Sequence, residues 1–507
     1  MGFPGMLSGS VAEMQETGRG VALHAIPLRS TLSCTVITTT LYLAVVFVDF
    51  RPVEIRYTLL DCIPMPDRHT SPVGNSGSLE DALNDFADEI DAWIGRVIRA
   101  YPTGFTSDSH DGGTFMTCWV PHIRAARDQR AAEFMYRYRY EAKRHFEETD
   151  QWLDGYWRRQ EVHHGTEHFD IFLRATDKLP LGDDVTARQV EDAAEHIGNW
   201  KPGFPEWFDW DTGLFRSFYL GTEHVGEPSC NVPDHVRLAG LALLAHDLSG
   251  RERYLELARR HCTRWAAALN SGDQLPAGID ADGSIYGLGD EDKESYDSFA
   301  GAAPDDLGAD LPRAENLLAS GVPDTLLTLW EKSGDGVFRS AAERIIDVAV
   351  EVLNSPIAWQ AHAAVRRYRQ TTGSDRYDDL VKAVGDESLR PVRELTIVPE
   401  VEQPVVTGPL GMRSDKPDWL DQDGKPAPSP LLMALRALVT GEENLLIRAL
   451  DLGRAHFQLA REVFGDVTHH GCGSRSLSAV CRGHGRLNGA GVVTEVLAPA
   501  IEVYLAE

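Results

Sequence analysis

Four short glycine-containing junctions constrain the fold of this chain more than any other feature of its sequence. In each, a Ser or Thr precedes the glycine, an alanine- and leucine-rich helical segment comes before, and another helical segment follows. Glycine suits the left-handed residue that ends many α-helices. Acidic residues near the start of the next segment suit the dipole of a new helix. The junctions therefore predict antiparallel helical hairpins with tight turns. They are centred at Gly250, Gly334, Gly373 and Gly441.

Apolar residues over 79–507 recur with helical spacing. The first stripe contains Leu83, Phe86 and Ile90, in the i, i+3, i+7 pattern of an amphipathic helix. About a dozen helices are predicted in this way. The glycine junctions are unevenly spaced, which argues against a solenoid of strict period. We therefore predict an all-α fold, an (α/α)6 toroid formed by a ring of helical hairpins with long loops at one end.

The first 64 residues differ in composition from the rest. They hold five acids against four arginines, so almost all of the net charge of −28 belongs to residues 65–507. The uncharged run 34–48 is shorter than the ~20 residues of a membrane-spanning helix, and its β-branched residues favour a strand. We expect 1–64 to be an N-terminal extension outside the fold, either an over-long gene model or an anchor. Residues 65–507 are then the catalytic domain of a cytoplasmic protein, with a signal or anchor segment at 34–48 as the alternative.

The acidic composition excludes several classes of partner. With 49 Lys and Arg against 77 Asp and Glu, the chain lacks the basic surface that binds nucleic acid. An anionic membrane surface would repel it, so no stable membrane partner is expected. The seven cysteines include no Cys-x-x-Cys pair, so neither a disulfide framework nor a zinc ribbon is indicated. We expect no cofactor and no metal, and the oligomeric state stays open.

The loop over about 200–231 is the richest in chemistry. It places aromatic rings beside carboxylates, a combination that suits sugar binding and proton transfer. Trp207 and Trp210 are predicted to stack on sugar rings, and Arg216 to pair with a substrate carboxylate. Aromatic residues that plug the ring and acids that cap helices are the structural alternative. The candidate acids and bases are Glu206, Asp209, Asp211, Glu223, His224 and Tyr219.

Two further clusters contain histidines. His164 is a candidate general base with Glu167 orienting it, and the neighbouring His168 is a candidate for substrate binding, although a helix start with solvated histidines fits equally well. His164-x-x-Glu167-His168 also matches a zinc-protease pattern, which Gly165 and the all-helical fold disfavour. The second cluster is glycine-rich and cationic, which suggests an anionic substrate group, or else a loop that closes the last hairpin. Its substrate-binding candidates, together with His235, are His470, Arg475, Arg482 and His484.

The hairpin pattern A-x-x-A-x-x-L-T/S-G-x-x-x-Y/F-x-x-x-A resembles the six-hairpin glycosidase-like superfamily over residues 79–507. That superfamily includes unsaturated glucuronyl hydrolases, N-acylglucosamine 2-epimerases and toroidal polysaccharide lyases. The resemblance implies a toroid that acts on carbohydrate, without specifying one activity.

The expected function is hydrolysis of glycosidic bonds in a uronate-containing oligo- or polysaccharide by acid/base catalysis. Substitution of Asp211 or Glu223 by the amide is then expected to abolish activity. The first alternative is β-elimination by a polysaccharide lyase, with His164 or His224 as base and Tyr219 as acid. A sugar epimerase that uses two histidines and a non-catalytic helical scaffold are further alternatives.

Overall fold

Helical hairpins make up most of the computed structural model. The residues that it describes all belong to one compact unit, 64–507. The N-terminal extension predicted at 1–64, including the segment 34–48, lies outside the described residues. These are 69–102, 116, 119–148, 152–153, 156–158, 162, 166, 184–216, 230–280, 282–286, 310–356, 358–397, 407–408, 412–413, 419–464 and 466.

Thirteen α-helices run through the described part of the chain. They are α1 (Leu79–Ala100), α2 (Val120–Ala126), α3 (Gln129–Glu148), α4 (Asp184–Ile197), α5 (Val236–Ser249), α6 (Glu252–Ser271), α7 (Asp310–Ala319), α8 (Val322–Ser333), α9 (Gly336–Ala349), α10 (Trp359–Thr372), α11 (Asp378–Lys382), α12 (Pro430–Thr440) and α13 (Glu443–Phe464). Short 3₁₀ turns cover Pro233–His235, Val350–Val352 and Asp386–Leu389. Among the described residues, no helix is long and apolar enough to cross a bilayer.

Each of the four predicted glycine junctions ends one helix and turns the chain into the next. Gly250, Gly334, Gly373 and Gly441 have φ values of 68°, 69°, 66° and 75°, in the left-handed region that glycine adopts without penalty. Each glycine N–H donates to the carbonyl four residues earlier, as Gly250 does to His246 at 2.7 Å. The resulting hairpins are α5–α6, α8–α9, α10–α11 and α12–α13, which confirms the predicted turns.

The first helix of a hairpin lies inside the ring and the second outside. Helix α5 is buried on nearly all sides, whereas α6 buries Tyr254, Leu257 and Trp265 and exposes Arg260 and Arg264. Inner helices pack side by side in the order α5, α8, α10 and α12, and outer helix α6 packs on α9.

The ring closes where α1 lies along α13. The Phe457 ring of α13 lies 6.1 Å from that of Phe86 and 5.1 Å from that of Trp93, centroid to centroid. The predicted all-α toroid is thus confirmed.

The described part of the chain also contains short β-strands. They are β1 (His69–Pro72), β2 (Trp152–Leu153), β3 (Trp157–Arg158), β4 (Phe208–Asp209), β5 (Leu214–Phe215), β6 (Gly278–Ile279), β7 (Ile285–Tyr286), β8 (Glu394–Ile397), β9 (Thr407–Gly408), β10 (Met412–Arg413) and β11 (Trp419–Asp421). The one three-stranded sheet among the described residues has the order β1-β8-β11, with His69 and Trp419 both paired to Ile397. The other described strands form two-residue hairpins, and the β6–β7 hairpin turns at Asp282 and Gly283 as its Asp-Gly sequence predicts.

The hairpins give the ring two different ends. All four tight turns join the C-terminus of an inner helix to the N-terminus of an outer helix, so they lie at one end, the glycine-turn end. The inner helices α5, α8, α10 and α12 begin at the opposite end, the loop end. The longer connections of the chain lead into the N-termini of the inner helices at this loop end. Because binding residues concentrate on loops held by a rigid scaffold, the loop end is where a site is expected.

Candidate functional site

The connection from α4 to α5 contains most of the predicted catalytic residues. It starts at the glycine-turn end, because Glu195 near the end of α4 pairs with Arg251 beside the Gly250 turn, at 3.5 Å. It finishes at the loop end, where α5 begins. The described parts of this connection are 198–216 and 230–235.

Two asparagines hold the β4–β5 hairpin of this connection from its two edges. Asn199 donates to the Phe208 carbonyl at 2.7 Å and accepts from its N–H at 3.1 Å. Asn231 makes the same pair of bonds to Phe215, both at 2.9 Å. Each side-chain amide thus satisfies backbone groups that a neighbouring strand would otherwise pair. Asn231 also pairs through its backbone with Ile279, which connects the two β-hairpins.

The turn of the β4–β5 hairpin lies against outer helix α6. Arg260 of that helix donates to the Trp210 carbonyl at 2.7 Å, and Arg264 donates to the Thr212 carbonyl. Gly213, with φ of 75°, would place a Cβ only 3.1 Å from the Arg260 carbonyl oxygen. The turn therefore packs closely on the outer wall of the ring.

This placement bears on two of the predicted catalytic acids, Asp209 and Asp211. The Asp209 carboxylate accepts the N–H groups of Asp211 at 2.9 Å and Thr212 at 3.1 Å. Burial on its own would raise the pKa of Asp209, but these backbone donors and nearby Arg216 outweigh it and hold the pKa below its usual value. Asp211 is exposed in the same turn. An ionised Asp209 that shapes a turn on the outer wall fits a structural role better than proton donation.

The predicted stacking residues belong to the packed interior or its edge. Trp207 is fully buried and meets Trp157 edge-on at 5.3 Å. Trp210 is half-buried and donates from its indole to the Gly198 carbonyl at 3.3 Å. The structure corrects the expectation for Trp207, because a ring with no exposed face cannot stack on a sugar.

Arg216 lies among acids of its own chain. Its guanidinium is 3.0 Å from the Glu206 carboxylate and 3.8 Å from that of Asp209. All three side chains are at least partly exposed. A substrate carboxylate would therefore have to displace these partners to use Arg216.

A buried polar network lies at the loop end, where α5 begins. Asp234 and Arg237 form an ion pair of 3.0 Å, with side chains 5% and 2% exposed. Ser320, which precedes α8, donates to Asp234 at 2.6 Å, and Arg237 donates to Thr166 at 3.3 Å. The network thus connects three separate segments of the chain. Burying two charges is costly unless they are paired and hydrogen-bonded, as they are here.

Two buried histidines lie at the same end of the ring. His235, predicted to bind substrate, is fully buried immediately before α5, with Nδ1 3.1 Å from the Val232 nitrogen. His362, in the first turn of α10, donates from Nε2 to the Leu353 carbonyl at 2.8 Å and accepts from the Ser429 hydroxyl at 3.1 Å. Burial lowers the pKa of His362 to about 4, so this imidazole is neutral at neutral pH.

The remaining predicted site residues lie outside the described part of the chain. The structure brings Asp209, Trp210 and Arg216 into one hairpin and places His235 at the loop end. Sequence reasoning missed Asp234, Arg237 and Ser320. The available signal was a pair of charged residues where an apolar helix begins. The predicted residues outside the described ranges are His164, Glu167, His168, Tyr219, Glu223, His224, His470, Arg475, Arg482 and His484.

Comparison with protein families and with curated proteins gives no match. Among solved structures, the chain is similar to an unsaturated glucuronyl hydrolase specific for heparin, with a TM-score of 0.40 and 12% identity, over 76% of this chain and 98% of that one. It is also similar to a D-mannose isomerase, with a TM-score of 0.41 and 11% identity, over 73% of this chain and 100% of that one.

Proposed function

We propose that this protein is a carbohydrate-active enzyme that hydrolyses glycosidic bonds at the loop end of its helical ring. The observation that carries the proposal is the buried Asp234–Arg237 network at the start of inner helix α5. It fixes the start of inner helix α5 at the end where the longer connections lead into the inner helices. Sites of this kind need their positioning groups fixed by packing and hydrogen bonds.

Glu223 is the proposed catalytic acid. It belongs to segment 217–229, which joins Arg216 of the β4–β5 hairpin to Cys230, and Asn231 and the network follow directly. Asp209 and Asp211 of the hairpin turn lie on the outer wall and Glu206 pairs with Arg216, so Glu223 is the remaining predicted acid of this connection. As the general acid, its carboxyl group would give its proton to the leaving-group oxygen while the glycosidic bond breaks, and water would complete the hydrolysis.

A uronate-containing substrate is the second part of the proposal. With a net charge of −28, the protein repels anions as a whole, so cations must reverse the field locally. His470, Arg475, Arg482 and His484 are the proposed cationic groups. Arginine suits this role because its guanidinium pairs with a carboxylate through two parallel hydrogen bonds.

Product analysis tests the reaction class. The protein would be incubated with matched neutral and uronate-containing oligosaccharides, while new reducing ends and ultraviolet absorbance are followed together. We expect new reducing ends without absorbance, and only from uronate substrates. Absorbance from an unsaturated uronate would identify a lyase, and cleavage of neutral substrates alone would contradict the anionic assignment. Absence of any product would contradict hydrolysis.

Sugar epimerisation or isomerisation is the second candidate, favoured by one observation. His235 and His362 lie at the loop-end starts of two inner helices, and such reactions use a pair of proton-transferring groups. However, both nitrogens of His362 already have partners. A substrate would have to replace the Leu353 carbonyl or the Ser429 hydroxyl, which makes hydrolysis the better-supported reaction. Deuterium uptake into sugar from D₂O without cleavage would reverse this order.

A further inference from the structure

A cluster of potential metal ligands lies where α1, α2 and α3 meet. None of its residues belongs to the loop-end network. Asp91 lies on α1, His122 on α2, and Asp128 just before α3. One ligand atom from each residue falls within 4.8 Å of the other two. The three residues come from separate segments, so no spacing in the sequence indicates the cluster.

His122 is the unusual member of this cluster. It is the buried member, at 5% exposure, whereas Asp91 is exposed and Asp128 is half-buried. Its imidazole lies beside the carboxylates of both acids. A buried imidazole next to two carboxylates offers the nitrogen and oxygen ligands that divalent metal ions bind.

Arg130 currently neutralises the two acids. Its guanidinium donates to Asp91 at 2.9 Å and to Asp128 at 3.1 Å. The other oxygen of Asp128 accepts the N–H of Ala131 at 3.1 Å, which fixes that side chain at the start of α3. Asp91 and Arg130 are both about half exposed, so the arginine can leave without disturbing the core.

One imidazole and two carboxylates form a ligand set that suits a divalent first-row metal ion. Ligand atoms at ~2.0–2.2 Å from an ion can be no more than ~4.4 Å apart, so the cluster would need to contract only slightly.

We propose that Asp91, His122 and Asp128 bind one divalent metal ion such as Zn²⁺, and that Arg130 takes the place of the ion when it is absent. The site would tie three helices together. It is independent of the proposed hydrolysis, since it contains none of the residues proposed to act at the loop end.

Calorimetric titration of the chelator-treated full-length protein with Zn²⁺ alone tests the proposal. The Asp91→Asn variant removes an exposed ligand and should lose one equivalent of bound ion. The matched control is Asp85→Asn, which changes an exposed acid on the same helix and should keep that equivalent. Arg130→Gln removes the competing cation and should tighten the site about tenfold. Thermal melting with and without Zn²⁺ provides a readout independent of activity, and the stabilisation should vanish in Asp91→Asn.

The chain contains 18 histidines, so the comparison between variants, rather than binding by the wild type alone, locates the site. His122→Ala should lose the same equivalent as Asp91→Asn, and circular dichroism checks that it folds. Binding that is equal in Asp91→Asn, Asp85→Asn and wild type would place the ion elsewhere and overturn the proposal. Absence of binding in both wild type and Arg130→Gln would also overturn it.

Discussion

Different kinds of contact stabilise the two ends of the ring, the glycine-turn end and the loop end. At the glycine-turn end, a left-handed glycine and a hydrogen bond to the carbonyl four residues earlier complete each junction. At the loop end, Asp234 is satisfied by Ser320 from another helix boundary, and Asn231 supports a hairpin sixteen residues away. Contacts of the first kind are local in sequence, whereas those of the second kind depend on the assembled ring.

The largest expected difference between the two ends concerns their arginines. Arg237→Ala leaves Asp234 charged, buried and short of its partner, so it should lower the free energy of unfolding by about 3–5 kcal/mol. Arg251→Ala removes an arginine at the glycine-turn end whose side chain is 51% exposed, and should change stability very little. Denaturant unfolding measures both.

A double variant sharpens this comparison. Asp234→Asn combined with Arg237→Met removes both charges and should recover part of the loss seen in Arg237→Ala. Equal losses in Arg237→Ala and Arg251→Ala would mean that the loop-end pair is no more important than a surface contact.

Glycine substitutions give the next largest effect. Gly250→Ala at the glycine-turn end strains a left-handed residue but meets no atom within 4 Å, so about 1 kcal/mol is expected. Gly213→Ala has the same strain, and its new Cβ also presses on the Arg260 carbonyl. It should cost about 2–3 kcal/mol. Urea unfolding of the two variants checks the order, and a larger loss in Gly250→Ala would contradict the close packing of the hairpin on α6.

His362, one of the two buried histidines at the loop end, should have a smaller, pH-dependent effect on stability. The pKa of His362 is about 4 in the folded protein, below the ~6.5 of an unfolded chain. The unfolded state therefore binds the proton first, and stability falls as the pH drops below about 6.5. Between pH 7 and 5.5 this histidine should account for about 1 kcal/mol of that fall.

The pH effect is measured by urea unfolding of wild type and His362→Gln at both pH values. The variant should lose about 1 kcal/mol less than wild type between them, whatever its stability at pH 7. Ser429→Ala removes a hydrogen-bond partner but keeps the histidine, so it should retain the wild-type fall. An unchanged fall in His362→Gln would show that this imidazole does not titrate differently in the folded protein.

The same contrast explains what could be predicted from the sequence. The four glycine turns and the Asp282-Gly283 turn follow from local rules, and the structure has them where the sequence places them. The position of the aromatic and acidic hairpin does not follow from such rules. Its residue types suggest a sugar site, but Trp207 is buried against Trp157 and the Asp209 turn packs on α6. The partners of Asp234 lie on other helices, so its role is visible only once the ring is assembled.

The central claim is that the chemistry belongs to the loop end and not to the outer wall. It is tested most directly by measuring kcat/KM of Glu223→Gln and Asp211→Asn on the oligosaccharide that the wild-type protein cleaves. We predict a loss of about 10²–10⁴-fold for Glu223→Gln, the usual contribution of a general acid, and near wild-type turnover for Asp211→Asn. Wild-type turnover by Glu223→Gln, or an equally large loss in Asp211→Asn, would contradict the claim.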